Sequence, residues 1–132
     1  MKVKIDLRMQ NFLKKKKIKM VVIFGSFVSN KNGNFSDIDI AILPSVSSNL
    51  ELYNDMYKIF SDFFSSFHKE VDIIFLDIAP LDLKFEIVNS GQLFYEHREG
   101  YFLEYKEKVM KEYIDLSFHQ KRFEKAIIET FK

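Results

Sequence analysis

Three acidic residues are placed where their charge has to do something. Asp37 and Asp39 stand two apart in Ser36-Asp37-Ile38-Asp39-Ile40-Ala41-Ile42-Leu43, an alternation that suits a β-strand. Side chains in a strand change face at every step, so the two carboxylates share one face while Ile38, Ile40 and Ile42 share the other. Neighbouring carboxylates repel each other, and a cation or a proton relieves the strain. Hard oxygen donors in this number suit Mg²⁺, which takes one or two carboxylates and completes its shell with water and phosphate oxygens. The third acid is Asp72, inside the otherwise apolar run Val71-Asp72-Ile73-Ile74-Phe75-Leu76, where a bare charge is costly without a partner or a metal. If the strand bearing Asp72 lies beside that bearing Asp37 and Asp39, all three converge on one edge of a sheet. Upstream, the apolar run Val21-Val22-Ile23-Phe24 breaks at Gly25-Ser26. Gly25 removes a side chain where a phosphate would come close, and Ser26 offers a hydroxyl and a backbone N–H.

The surrounding elements are those needed to hold such a site. Residues 2–17 read as a short amphipathic helix with Val3, Leu7, Phe12 and Leu13 inward. It ends in Lys14-Lys15-Lys16-Lys17, first a solvated cationic turn that complements the helix dipole, second a contact for an anionic partner. A strand over 18–24, apolar on both faces, is central. Ser26 can cap a turn over Phe27-Val28-Ser29, Asn30 to Asn34 is loop, and the second strand runs 37–43, stopped by Pro44. Asn49 caps a helix from Leu50 to about Phe67 whose inward face is Leu52, Met56, Ile59, Phe60, Phe63, Phe64 and Phe67. A third strand covers 70–76. The strand–helix–strand order is that of a crossover unit, with the strand direction left open. Leu81 to Asn89 is helical and stops at Gly91, Gln92 to Tyr95 is an edge strand, and roughly 99–131 is a long helix or a helix pair. Its stripe of Phe102, Tyr105, Val109, Tyr113, Leu116, Phe123 and Ile127 reads as core, with a part left over to bury against a partner.

The bulk numbers bound the function. A chain of 132 residues has the size of one domain and can bury one core. A hydrophobic share of 47% with 15 Phe argues for a folded protein. A net charge of +1 argues against direct nucleic-acid binding. The absence of cysteine excludes disulfides and thiolate zinc sites and leaves the compartment open, leaning to the cytoplasm. There is no signal-like N-terminus and no apolar run of bilayer length. His68, His97 and His119 lack ligand-like spacing and read as surface residues. Asp77 and Asp82, either side of Pro80, read as turn and cap residues.

Gly25-Ser26, followed after a loop by Ser36-Asp37-Ile38-Asp39-Ile40, resembles the Gly-Ser…Asp-x-Asp signature of the DNA polymerase β-like nucleotidyltransferase superfamily. The short chain and the strand carrying Asp72 resemble its smallest branch, the minimal nucleotidyltransferase (MNT) antitoxins paired with HEPN-domain toxins. Ile87-Val88-Asn89-Ser90-Gly91-Gln92-Leu93-Phe94-Tyr95-Glu96 is similar to that branch's helix–Gly–strand element. The likeness spans about residues 18–120. It implies an α/β (α+β) nucleotidyltransferase fold over a single domain, 1–132, with a small mixed sheet flanked by helices. It further implies Mg²⁺ at Asp37, Asp39 and Asp72, and ATP contacts at Gly25, Ser26 and Ser36. The implied reaction is attack of a tyrosine hydroxyl of the HEPN toxin on the α-phosphate of ATP, leaving AMP on the toxin and releasing pyrophosphate. The chain departs from the family's frequent Gly-Ser-x-Ala-Arg-Gly by carrying Ser29 and Asn30 at the last two places, so either a lysine such as Lys31 substitutes for the cation or activity is weakened. Two alternatives stay open: an antitoxin that blocks its partner by binding alone, and a small-molecule nucleotidyltransferase. A homo- or hetero-oligomer through the C-terminal helix is a further expectation.

Overall fold

The computed structural model describes residues 3–25 and 37–131. Ser26, Phe27, Val28, Ser29, Asn30, Lys31 and Ser36, and with them the expected cap, phosphate contacts and substitute cation, lie outside the described residues. The described chain runs α1 (Leu7–Lys15), β1 (Ile18–Phe24), β2 (Ile38–Pro44), α2 (Leu50–Phe63), β3 (Val71–Phe75), α3 (Leu81–Ser90), β4 (Gln92–Glu96) and α4 (Tyr101–Thr130). Four strands make one mixed sheet in the order β3-β2-β1-β4. β1 is antiparallel to both β2 and β4, whereas β2 and β3 run parallel. The parallel pair follows from its connection: α2 carries the chain back across the sheet, which a hairpin cannot do. β1 is central, as its two apolar faces require.

Helices cover both faces. On one, Ile38, Ile40 and Ile42 of β2 meet Met9 and Leu13 of α1 and Leu52, Met56 and Phe60 of α2. Phe60, Phe64 and Phe94 fill that layer, Phe60 meeting Phe94 edge-on at 5.7 Å between centroids. On the other face, Met20, Val22, Ala41 and Leu76 pack beneath Ile87 of α3, with Tyr101, Phe102 and Tyr105 of α4 against them.

Local signals fix the ends. Asp6 caps α1 by accepting from the Met9 N–H at 2.7 Å, and Asn49 caps α2 by accepting from Leu52 at 2.8 Å. α1 is shorter than the periodicity suggests. Residues 3–6 precede it without helical structure, Asp6 being extended, Leu7 is 70% exposed, and Met9 takes the buried place expected of Leu7. α2 also ends early, at Phe63, and a single 3₁₀ turn over Ser65–Phe67 follows. His68 at φ 54 turns the chain towards β3, and Phe67 is therefore exposed rather than core. The second strand ends on Pro44 itself, one residue beyond the expected stop. Gly91 ends α3 in an extended conformation; a side chain there would strike Val22 Cγ1 and the Ile87 carbonyl.

The C-terminal element is one unbroken helix of 30 residues, about 45 Å long at the usual rise. Its first half packs on α3 and the sheet: Val109 is buried, and Phe85 stacks on Tyr113 at 4.0 Å. Its second half does not. Leu116, Phe123 and Ile127, expected in the core, are 44%, 67% and 42% exposed, because the sheet beneath them has ended. No helix among the described residues is long and apolar enough to cross a membrane.

Candidate active site

The carboxylates collect where β1 ends and β2 and β3 begin. Phe24, the last residue of β1, pairs with Asp39 of β2, and Asp39 pairs in register with Asp72 of β3. Register partners on neighbouring strands share a face about 4.8 Å apart, so Asp39 and Asp72 stand side by side. The pair is held from below: Ile38 and Ile40, flanking Asp39, are fully buried, and Val71 and Ile73, flanking Asp72, are nearly so. The sheet thus anchors two like charges next to each other.

Burial differs among the three. Asp39 is half-buried, whereas Asp37 and Asp72 are exposed. Asp72 therefore escapes the desolvation its apolar neighbours suggest, because β3 is an edge strand and its open flank faces solvent. Asp37 sits just before β2 rather than within it, yet its charge reaches Asp39. Burial first, and then the charges of Asp72 and Asp37, push the Asp39 carboxyl up from 3.8 to about 6. Among the described residues, no three acidic or histidine groups are drawn together into a ready-made metal cage.

Gly25 completes the local geometry. It has φ +81, a region other residues rarely adopt, and a Cβ built there would run into Asp39 Oδ2. Glycine is thus required twice, for its backbone conformation and for the space the carboxylate fills. The phosphate-approach argument does not anticipate this second role; the register that sets Phe24 opposite Asp39 reveals it.

The donor set fits Mg²⁺. The oxygens are hard, and after burial the charges of Asp72 and Asp37 raise Asp39, a repulsion that a cation would remove. Asp37, Asp39 and Asp72 are the residues that would hold it.

Of the remaining candidates, His68 lies four residues before Asp72, in the link that leads into β3. His68, His97 and His119 are exposed. Asp77 accepts from the Ser48 N–H at 2.9 Å, tying β3 to the β2–α2 link, and Asp82 accepts from Leu83 at 3.0 Å in the first turn of α3. In the lysine run, Lys14 and Lys15 lie in the last turn of α1, and Lys16 pairs with Asp55 of α2 at 2.9 Å.

The chain is similar to several solved structures. One is a toxin–antitoxin crystallised with AMP-PNP, with a TM-score of 0.67 at 20% identity, covering 89% of this chain and 94% of that one. A second is the toxin–antitoxin MntA-HepT, with a TM-score of 0.63 at 19% identity, covering 92% and 94%. A third is a tri-AMPylated Shewanella oneidensis HEPN toxin in complex with MNT antitoxin, with a TM-score of 0.61 at 18% identity, covering 90% and 95%. At these identities the likeness is one of fold. No curated protein matches the chain in sequence. The family model described as polymerase beta, nucleotidyltransferase matches residues 8–100, which takes in β1, β2, β3 and all three carboxylates.

Proposed function

The chain belongs to the polymerase β nucleotidyltransferase family, and from that premise we propose that it is a minimal nucleotidyltransferase acting as an antitoxin. It transfers AMP from ATP to a tyrosine hydroxyl of a HEPN-domain toxin. The observation that carries the reading is the register of Asp39 with Asp72, with the glycine that ends β1 laid against the Asp39 carboxylate.

Each part has a task. β2 and β3 fix the two carboxylates against a rigid apolar floor, so their spacing survives the arrival of a charged nucleotide. Gly25 leaves room for the Asp39 carboxylate, and Gly25, Ser26 and Ser36 are the residues we assign to the nucleotide. Asp37, at the open lip, adds a third charge. Asp37, Asp39 and Asp72 are the residues that would hold Mg²⁺, whose charge would offset theirs and that of the triphosphate. The acceptor oxygen forms a bond to the α-phosphorus, the bond to the bridging oxygen of pyrophosphate breaks, and the hydroxyl proton leaves to solvent or a nearby base. AMP remains on the acceptor.

The partner reading draws support from the toxin–antitoxin complexes the fold resembles, one with AMP-PNP and one with an AMP-modified HEPN toxin. The bare second half of α4 is the surface we assign to the partner. The single domain spans 1–132, and the cytoplasm is the compartment in which such a toxin meets ATP.

The test is to incubate the purified chain with labelled ATP, Mg²⁺ and a HEPN toxin. Label should appear on a toxin tyrosine, and Asp37→Asn with Asp39→Asn should abolish it. Undiminished transfer by that double variant would overturn the residue roles. Full protection of cells by the same variant would show that contact alone neutralises the toxin.

A further inference from the structure

A cleft of about 390 Å³ opens at the opposite end of the strands from the carboxylates, between the sheet, α3 and α4. Leu43 at the end of β2 lies on its wall, four residues beyond Asp39 and so about 13 Å along the strand. Three lysines from three elements line it: Lys19 of β1, Lys84 of α3 and Lys108 of α4. No ion pair joins any of them to another described residue. The two acids that also line the cleft are already engaged, Glu104 by the Arg98 guanidinium and Asp77 by the Ser48 N–H.

Tyr105 also lines the cleft, and its hydroxyl is buried with no hydrogen-bond partner among the described residues. Burial, helped by the Tyr101, Glu112 and Asp77 charges, pushes that phenol up to about 12, so it stays a neutral donor. Buried polar groups are nearly always paired, and one left alone has a missing partner. The cleft thus gathers three ammonium groups and a phenolic donor beside two acids that each already hold a donor elsewhere.

We propose that this cleft binds a small phosphate-bearing anion, whose oxygens accept from the Tyr105 hydroxyl while Lys19, Lys84 and Lys108 balance its charge. The site is separate from the carboxylate end, and the proposal stands whether or not that end transfers nucleotides.

Calorimetric titration of the full chain with pyrophosphate, and in a second arm with AMP, tests this in EDTA so that no divalent cation is available. Binding is expected in the wild type and equally in Asp39→Asn. Lys84→Gln with Lys108→Gln should weaken it by tenfold or more. Tyr105→Phe should weaken it roughly tenfold, the equivalent of one hydrogen bond to a charged group, while leaving the melting temperature without ligand unchanged or higher. The tighter arm identifies the source as free phosphate or nucleotide. Three results would overturn the proposal: no binding in either arm, binding indifferent to the two lysines, or loss of binding in Asp39→Asn. A binding heat reproduced by sodium chloride at matched ionic strength would do the same.

Discussion

Asp39→Asn should make the folded protein more stable, and by an amount that depends on pH in one direction only. In the folded chain burial and the charges of Asp72 and Asp37 hold the carboxyl at about 6, against 3.8 for a free side chain. The folded state therefore keeps a proton that the unfolded state has already released. Stability is greatest while both states are protonated and falls as pH rises from about 4 to about 6. Above that range both states are ionised and the loss is complete. A displacement of that size corresponds to about 3 kcal/mol, which solvent screening at a half-open position reduces to about 1–2 kcal/mol. Asparagine has the same shape and does not titrate. The difference between variant and wild type should thus be small near pH 4, grow to about 1–2 kcal/mol by pH 6, and stay level above it. Urea unfolding followed by far-ultraviolet circular dichroism reads it directly, and effects of other acids cancel in the comparison. Millimolar Mg²⁺ at neutral pH should stabilise the wild type and leave the variant nearly unmoved. A stability difference that is flat across this range would refute the argument that Asp39 is held beside two like charges.

Other perturbations separate the site from the scaffold. Gly25→Ala places a Cβ at φ +81 against the Asp39 carboxylate; it should cost about 1–2 kcal/mol in urea unfolding and depress AMP transfer further. Phe60→Ala removes a fully buried ring between α2 and β4 and should cost about 3–5 kcal/mol by the same measurement. Asn49→Ala removes the α2 cap and should lower stability by about 1 kcal/mol. Phe123→Ser with Ile127→Ser changes exposed side chains, so stability should move by less than about 0.5 kcal/mol while affinity for the toxin, measured by titration, falls.

What could be read in advance follows from what each residue's neighbours in sequence reveal. The alternation of Ile38, Ile40 and Ile42 is enough to place Asp39 on the opposite face of a strand, and the Asn49 cap is local by nature; both stand as read. Asp72 was legible as a strand residue, but its exposure was not. Whether β3 is central or at an edge depends on which strand lies beside it, and an apolar run looks the same in both places. The stripe on α4 shows the same limit. Periodicity identifies one face from Phe102 to Ile127, yet the sheet ends beneath its middle, so Val109 is buried and Phe123 is bare. The cleft around Tyr105 left no trace, since Lys19, Lys84 and Lys108 are brought together only by the fold.

The sheet order also says something about assembly. Gly25 directly follows β1, and Asp39 and Asp72 lie on β2 and β3; these three strands are successive in the chain and pair with one another, β1 with β2 and β2 with β3. β4 arrives last and joins β1 from the far side, closing the longest span of chain in the sheet. Closing a longer loop is slower and entropically harder, and a chain leaving the ribosome presents its N-terminal strands first. The carboxylate end is therefore expected to take shape before β4 and α4 dock. The same pair should be the first to detach in partial opening, leaving the acids in place while the helix that carries the bare surface comes away.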